Sequence, residues 1–248
     1  MKKKFGQHFL VDPNILGVIE RLAELGPDDV VLEIGPGEGV LTRYLAERVV
    51  HVHAVEIDRD LEPTLREIGP NVDVVYGDAL QLDLAQDATK LVANLPYNVA
   101  TPLIAESLDG LPNVGLWCVM VQREVADRFF ATPSTKDYGA VSVLVQLAAE
   151  RTGFHPVSRT VFRPPPNVDS ALVAFRRTEL PANFAGIKQV VSAAFSHRRK
   201  TLPNSLALAG LASKERAAAA LETLGRPENT RAEALAPREF VVLTEALG

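Results

Sequence analysis

The chain of 248 residues is 47% hydrophobic, 23% charged and 6% aromatic, a balance that excludes disorder and collagen-like order and is ordinary for a globular protein. Its single cysteine, Cys118, excludes an intramolecular disulfide, and inside the apolar run from Leu116 to Val121 it reads as a buried, inert thiol of a reducing cytoplasm. The net charge of −5 is an average: residues 1–154 hold 13 Lys/Arg against 23 Asp/Glu, residues 155–204 hold 8 against 2, and residues 205–248 hold 5 against 6. The basic stretch is a candidate phosphate-binding surface that the acidic whole does not exclude.

In chain order, Lys2-Lys3-Lys4 precedes Phe5-Gly6-Gln7-His8-Phe9-Leu10, which lacks the apolar stretch and small-residue cleavage site of an export signal. No segment approaches the roughly 20 apolar residues that span a bilayer. A cytoplasmic protein with no membrane partner is therefore expected. Short β-branched runs then alternate with helical patterns: Val30 to Ile34, His51 to Ile57, Val72 to Tyr76, Lys90 to Ala93 and Leu116 to Val121 read as strands, with Leu41, Leu45 and Ala46 at helical spacing between the first two. Ser142 to Leu147 and Ala171 to Phe175 read as further strands. The expected fold is α/β, a mostly parallel sheet covered on both faces. After Leu180, Ala-, Leu- and Glu-rich segments such as Ser213 to Leu224, punctuated by Gly210, Gly225 and Pro237, predict a small helical domain over residues 181–248, following a catalytic domain over 1–180.

The first strand runs into Gly35-Pro36-Gly37-Glu38-Gly39-Val40, and Glu56 ends the second strand 21 residues beyond Gly35. Glycines let backbone approach a ligand, and an acid about 20 residues on suits ribose hydroxyls. The dinucleotide fingerprint needs Gly where this chain has Val40, which disfavours a nicotinamide oxidoreductase. A site carrying Glu33, Glu38, Glu56 and Asp78 suits the cationic sulfonium of S-adenosylmethionine better than a pyrophosphate.

The fourth strand ends in Asn94-Leu95-Pro96-Tyr97. Pro96 favours extended backbone before it, so the Asn94 side-chain oxygen and the Leu95 carbonyl can converge on one small donor with the Tyr97 ring beside it. An exocyclic base amine has that geometry, and its lone pair, delocalised into the ring, needs such help to react. A base reached in this way is extruded and stacked.

These segments, with Gly77-Asp78-Ala79, Gln122 to Arg128, Phe162 to Ala171, His197 to Leu206 and Arg231-Ala232-Glu233, resemble the ribosomal RNA adenine dimethyltransferases, and within them the housekeeping enzymes acting on small-subunit RNA. The resemblance implies a Rossmann-like S-adenosylmethionine-dependent methyltransferase sheet with a small C-terminal helical domain. It implies dimethylation of two adjacent adenines near the 3′ end of small-subunit ribosomal RNA, on immature small subunits, by a monomer with no metal. It places His8, Leu10, Gly35, Gly37, Glu56, Asp78 and Asn94 at the methyl donor. Asn94, Leu95, Pro96, Tyr97 and, as a second stacking ring, Phe162 fall at the target base, and Arg198, Arg199, Lys200 and Asn204 on RNA. His8 stands where the family often has Asn, and Pro203 replaces a frequent Arg and is placed to start a helix. A large-subunit methylase of the antibiotic-resistance type and an assembly factor whose binding outweighs its chemistry are the alternatives.

Overall fold

A computed structural model of the chain describes residues 8–197 and 199–248, so Phe5-Gly6-Gln7 and Arg198 lie outside the described residues. A short β1 (Phe9–Leu10) and helix α1 (Pro13–Ala23) precede β2 (Val30–Ile34), α2 (Val40–Ala46), β3 (His51–Glu56), α3 (Glu62–Leu65) and β4 (Val72–Tyr76). Then come β5 (Lys90–Asn94), α4 (Ala100–Gly110), β6 (Leu116–Gln122), α5 (Arg123–Phe129), α6 (Ala140–Ala148), β7 (Ala149–Val157), β8 (Phe162–Arg163) and β9 (Ser170–Arg177). The five expected strands from Val30 to Val121 thus form, in places a residue longer or shorter. They are parallel, in the spatial order β4-β3-β2-β5-β6, and β9 joins antiparallel to β6 with β7 beyond it. The chain builds outward from β2 to β4 and then returns to β5 beside β2. That reversal leaves a crevice outside the carboxyl ends of β2 and β5, where open α/β sheets bind ligands.

Strand β6 shows why the sheet reads as continuous apolar runs. Alternate side chains of a strand face opposite sides. Cys118 and Met120 join Ile15, Leu16 and Ile19 of α1 and Leu41 and Leu45 of α2 in one core cluster. Trp117, one position before Cys118 and so on the other face, stacks on Phe175 with ring centres 5.3 Å apart and donates its indole N–H to Ser107 of α4 at 2.9 Å. Both faces are covered, so both must be apolar, and each large side chain buried this way contributes about 1.5–3 kcal/mol. Burial also pushes the Cys118 thiol up to about 12, which leaves it unreactive.

The chain divides into two compact units. The first runs to Ala126 and includes Glu150–Arg177; the second comprises Asp127–Ala149 and Thr178–Gly248. In place of a single division at 180/181, the second unit takes in residues 127–149 and resumes at Thr178. Ser142 to Leu147 is not a strand: it lies in α6, whose buried residues Val141, Ser142, Val143, Leu144, Val145, Leu147 and Ala148 surround its axis. An unbroken apolar run has no period to betray a helix, and packing overrides the β preference of its valines. Ser142 ties this helix down by accepting from Gly139 N at 3.0 Å and donating to the Arg128 carbonyl at 2.6 Å.

The rest of the second unit is helical, as expected: α7 (Phe184–Phe195), α8 (Leu202–Leu208), α9 (Lys214–Thr223) and α10 (Pro237–Leu247). Asn183 caps α7 by accepting from Gly186 N at 3.2 Å, and Ser213 caps α9 by accepting from Arg216 N at 3.2 Å. Pro203 sits in the first turn of α8, where its missing N–H costs nothing. Tyr138, Phe195 and Phe240 form the aromatic centre of this unit, and the Tyr138 hydroxyl donates to the Leu235 carbonyl at 2.8 Å.

Candidate active site

A pocket in the first unit opens at the carboxyl ends of β2, β3 and β5. It is lined by His8, Leu10, Glu33, Gly35, Gly37, Glu56, Asp78, Asn94, Leu95, Pro96 and Tyr97, among others. The crevice predicted by topology therefore gathers every donor residue and four of the five base residues named from the sequence. Gly35 and Gly37 have φ of +76° and +58°, and a Cβ on Gly35 would meet Pro96 at 3.3 Å while one on Gly37 would meet the Phe9 ring at 3.0 Å. Only glycine follows this turn without strain and lets backbone form the pocket floor.

Glu56 is the best-held side chain of the site. It is 3% exposed. Its Oε2 accepts from Gly37 N at 3.0 Å and its Oε1 from Asp58 N at 2.9 Å. Its own carbonyl accepts from Gly77 N at 2.8 Å, which joins the ends of β3 and β4. The carboxylate is thus aimed in advance, with lone pairs left to accept further hydroxyls. Asp78 is fixed in the same manner by Leu80 N at 3.0 Å and Gln81 Nε2 at 3.1 Å.

Glu33 behaves differently. It is 1% exposed, and its Oε2 has no hydrogen-bond partner among the described residues. Burial pushes its pKa up to about 8, against the opposing effect of the Thr42 hydroxyl alongside and helped by the negative charge of Glu56. That hydroxyl lies near without a bond of regular geometry. Near neutrality burial thus favours the neutral form of Glu33.

On the opposite wall, Asn94 Nδ2 donates to the His8 carbonyl at 3.2 Å. The amide group is thereby oriented with its oxygen left over, and neither that oxygen nor the Leu95 carbonyl accepts a bond from the described residues. Leu95 N donates to the Met120 carbonyl at 3.0 Å, and the Pro96 carbonyl accepts from Val99 and Ala100 at 3.1 Å, turning the chain into α4. The Tyr97 hydroxyl meets Ser170 Oγ at 2.6 Å. Burial holds the Tyr97 phenol above its usual pKa although the Ser170 bond works the other way, so it remains a neutral, pinned ring. The ring of His8 lies 5.8 Å from that of Tyr97. Its Nδ1 donates to the Pro164 carbonyl at 2.7 Å, since a carbonyl can only accept.

Phe162 is not brought to this pocket. It pairs with Leu10 in the two-stranded β1–β8 ribbon, is 3% exposed and belongs to the core cluster under α1. In the second unit Arg199 and Lys200 are exposed, while Asn204 is half-buried and donates to Thr201 Oγ1 at 2.7 Å. Two residues the sequence reading left out matter here: Ser170, which pins Tyr97, and Phe9, which packs on Gly37. Nothing local marks Ser170, because its partner is 73 residues away in the chain.

The comparisons with known proteins agree with this geometry. The model of the ribosomal RNA adenine dimethylase family matches residues 1–247. A ribosomal RNA small subunit methyltransferase A from Rubrobacter xylanophilus is 48% identical over 249 residues, covering 98% of this chain and 93% of that protein. Its namesake from Lactiplantibacillus plantarum is 44% identical, covering 100% and 90%. Among solved structures, a dimethyladenosine transferase from Plasmodium falciparum superposes with a TM-score of 0.77 at 27% identity over 95% of this chain and 96% of that one. The 23S rRNA methyltransferase ErmE does so with a TM-score of 0.67 at 31% identity over 96% and 99%. Matched from end to end in sequence and with its acids and Asn-Leu-Pro-Tyr turn gathered at one crevice, the chain belongs to the ribosomal RNA adenine dimethylase family.

Proposed function

We propose that the protein dimethylates the exocyclic amine of two adjacent adenines near the 3′ end of small-subunit ribosomal RNA, using S-adenosylmethionine, during ribosome biogenesis in the cytoplasm. The observation that carries the reading is the pair of acceptors that no described residue fills, Asn94 Oδ1 and the Leu95 carbonyl, beside the pinned Tyr97 ring in the lining of the acidic crevice. The 44–48% identity to relatives named for the small subunit favours that RNA over the large-subunit alternative.

The pocket fits S-adenosylmethionine by its donor set. Besides Glu33, whose neutral form burial favours, its described lining holds the acidic side chains Glu38, Glu56 and Asp78 and no Lys or Arg, which suits a cation and repels a pyrophosphate. Glu56 would accept the ribose hydroxyls and Asp78 the adenine amine. The backbone of Gly35 and Gly37 would lie under the amino-acid end. When bound, S-adenosylmethionine supplies an electrophilic methyl group on sulfur.

The remaining chemistry belongs to the chain. An amine whose lone pair is conjugated into a purine is a weak nucleophile. In the first transfer Asn94 Oδ1 and the Leu95 carbonyl each accept one of its hydrogens, and in the second one of them accepts the hydrogen that remains, which favours a pyramidal nitrogen and stabilises the positive charge that develops there. Preorganised partners of this kind are worth about 10²–10³ in rate each. Once methylated the nitrogen is cationic and acidic, so no strong general base is needed. Extruding the base costs a few kcal/mol, and stacking on Tyr97 returns about 1–3 kcal/mol. The exposed Arg199 and Lys200 would hold RNA phosphates.

The test is transfer of labelled methyl from S-adenosylmethionine to immature, unmethylated small subunits, followed by mass spectrometry of the digested RNA. Dimethyladenosine at two adjacent positions is expected. Methylation confined to large-subunit RNA would place the protein in the other branch. Binding to immature subunits without any transfer would leave an assembly factor.

A further inference from the structure

The amino-terminal edge of the sheet, opposite the crevice, carries a second cluster of chemical groups. His51 and His53 alternate along β3, so both rings project from the same face, and their centres lie 4.5 Å apart, edge to face. His51 Nε2 lies 3.1 Å from Asp73 Oδ2, on the neighbouring strand β4. His53 Nε2 lies 3.2 and 3.3 Å from the two oxygens of Asp87, in the loop leading to β5. One ligand atom from each of His51, His53 and Asp73 falls within 4.8 Å of the others.

We propose that His51, His53 and Asp73 form a binding site for one divalent transition-metal ion of the zinc class, with Asp87 as outer partner or fourth ligand. Two imidazoles and a carboxylate suit zinc and its neighbours, whereas magnesium and calcium take oxygen ligands. Metal–ligand bonds of about 2.0–2.2 Å put the atoms of a tetrahedral site about 3.4 Å apart. Both rings are half-exposed and Asp73 is exposed, so closing to that spacing takes side-chain rotation and no backbone movement. A carboxylate on the outer nitrogen of a ligating histidine is the usual support. Because β4 is the edge strand, the ion would fasten it, with the loop before β5, to the strand that ends in Glu56.

The sequence reading placed no metal and treated His51 and His53 only as strand residues. Chelator-stripped, tag-free full-length protein titrated with Zn²⁺ alone should bind one equivalent, and Co²⁺ alone should give the visible absorption of a four-coordinate site. His53→Gln should weaken Zn²⁺ binding more than tenfold, Asp87→Asn about tenfold. Both variants should keep S-adenosylmethionine binding and methyl transfer, which shows that they fold. Zinc should raise the melting temperature of the parent and not of His53→Gln. No stoichiometric binding by the parent, or equal binding by a folded His53→Gln variant, overturns the proposal.

Discussion

The crevice of the first unit and the exposed Arg199 and Lys200 of the second both serve the proposed reaction, but they are built on opposite plans. In the crevice the working groups are held in place: Glu56 by the N–H groups of Gly37 and Asp58, Asp78 by that of Leu80, Asn94 by the carbonyl of His8 and Tyr97 by the Ser170 hydroxyl. In the second unit Arg199 and Lys200 are exposed charges. Oriented, desolvated groups act as a unit and fail together, whereas exposed charges in water act weakly and additively. On the proposed function, the geometry of catalysis is concentrated in a few held residues and the grip on RNA rests on exposed charges.

The sharpest way to break this contrast is Asn94→Ala. Removing one of the two amine acceptors and the tie to the His8 carbonyl should lower methyl transfer by about 10²–10³-fold while RNA binding stays near that of the parent. Single-turnover transfer and filter binding measure the two separately. A parallel fall in both would mean that the turn supports the RNA surface as well.

Glu56→Gln comes next. Both oxygens accept a backbone N–H, so the amide must set an NH₂ against one of these donors and also gives up the charge. The affected bonds are worth about 1.5–3 kcal/mol, so calorimetry should show S-adenosylmethionine binding weakened roughly tenfold to a hundredfold. Unchanged affinity would take the ribose role from Glu56.

Glu33 sharpens the comparison through pH. Its folded pKa, about 8, stands above the ordinary 4.5. Between those values the folded state holds a proton that the unfolded chain has released, so this group's contribution to stability falls as pH rises from 4.5 to about 8 and is flat above. The slope is at most about 1.4 kcal/mol per pH unit. Chemical denaturation of the parent and of Glu33→Gln across that window should give curves that diverge as pH rises, with the variant the more stable at pH 8. Parallel curves would mean that Glu33 is charged in the fold.

The smallest effects belong to the second unit. Arg199→Ala and Lys200→Ala should each reduce the salt slope of RNA binding by about one unit and leave transfer at saturating RNA unchanged. Unchanged slopes in both would move the RNA surface elsewhere.

Much of this molecule is legible without coordinates. Five parallel strands, the glycine turn, the acids at successive strand ends, the helical tail and the helix start at Pro203 follow from β-branched runs, turn residues and spacing, because each signal is local. What misled was also physical. Ser142 to Leu147 looks like a strand because a helix buried on all sides shows no period, and the resemblance puts Phe162 at the target base as a second stacking ring, whereas its pairing with Leu10 and its burial arise only in the fold.

The sequence by itself determined which groups exist and at which strand ends they fall, since the two-residue period and the strand–helix alternation are chain-local. The fold alone sets that Ser170 pins Tyr97, that the carbonyl of His8 turns Asn94, that burial raises the Glu33 pKa, and that His51 and His53 meet Asp73 and Asp87. The physical reason is the same in each case. Hydrogen bonds, burial and ligand distances depend on separations through space, and here they join residues up to 86 positions apart in the chain.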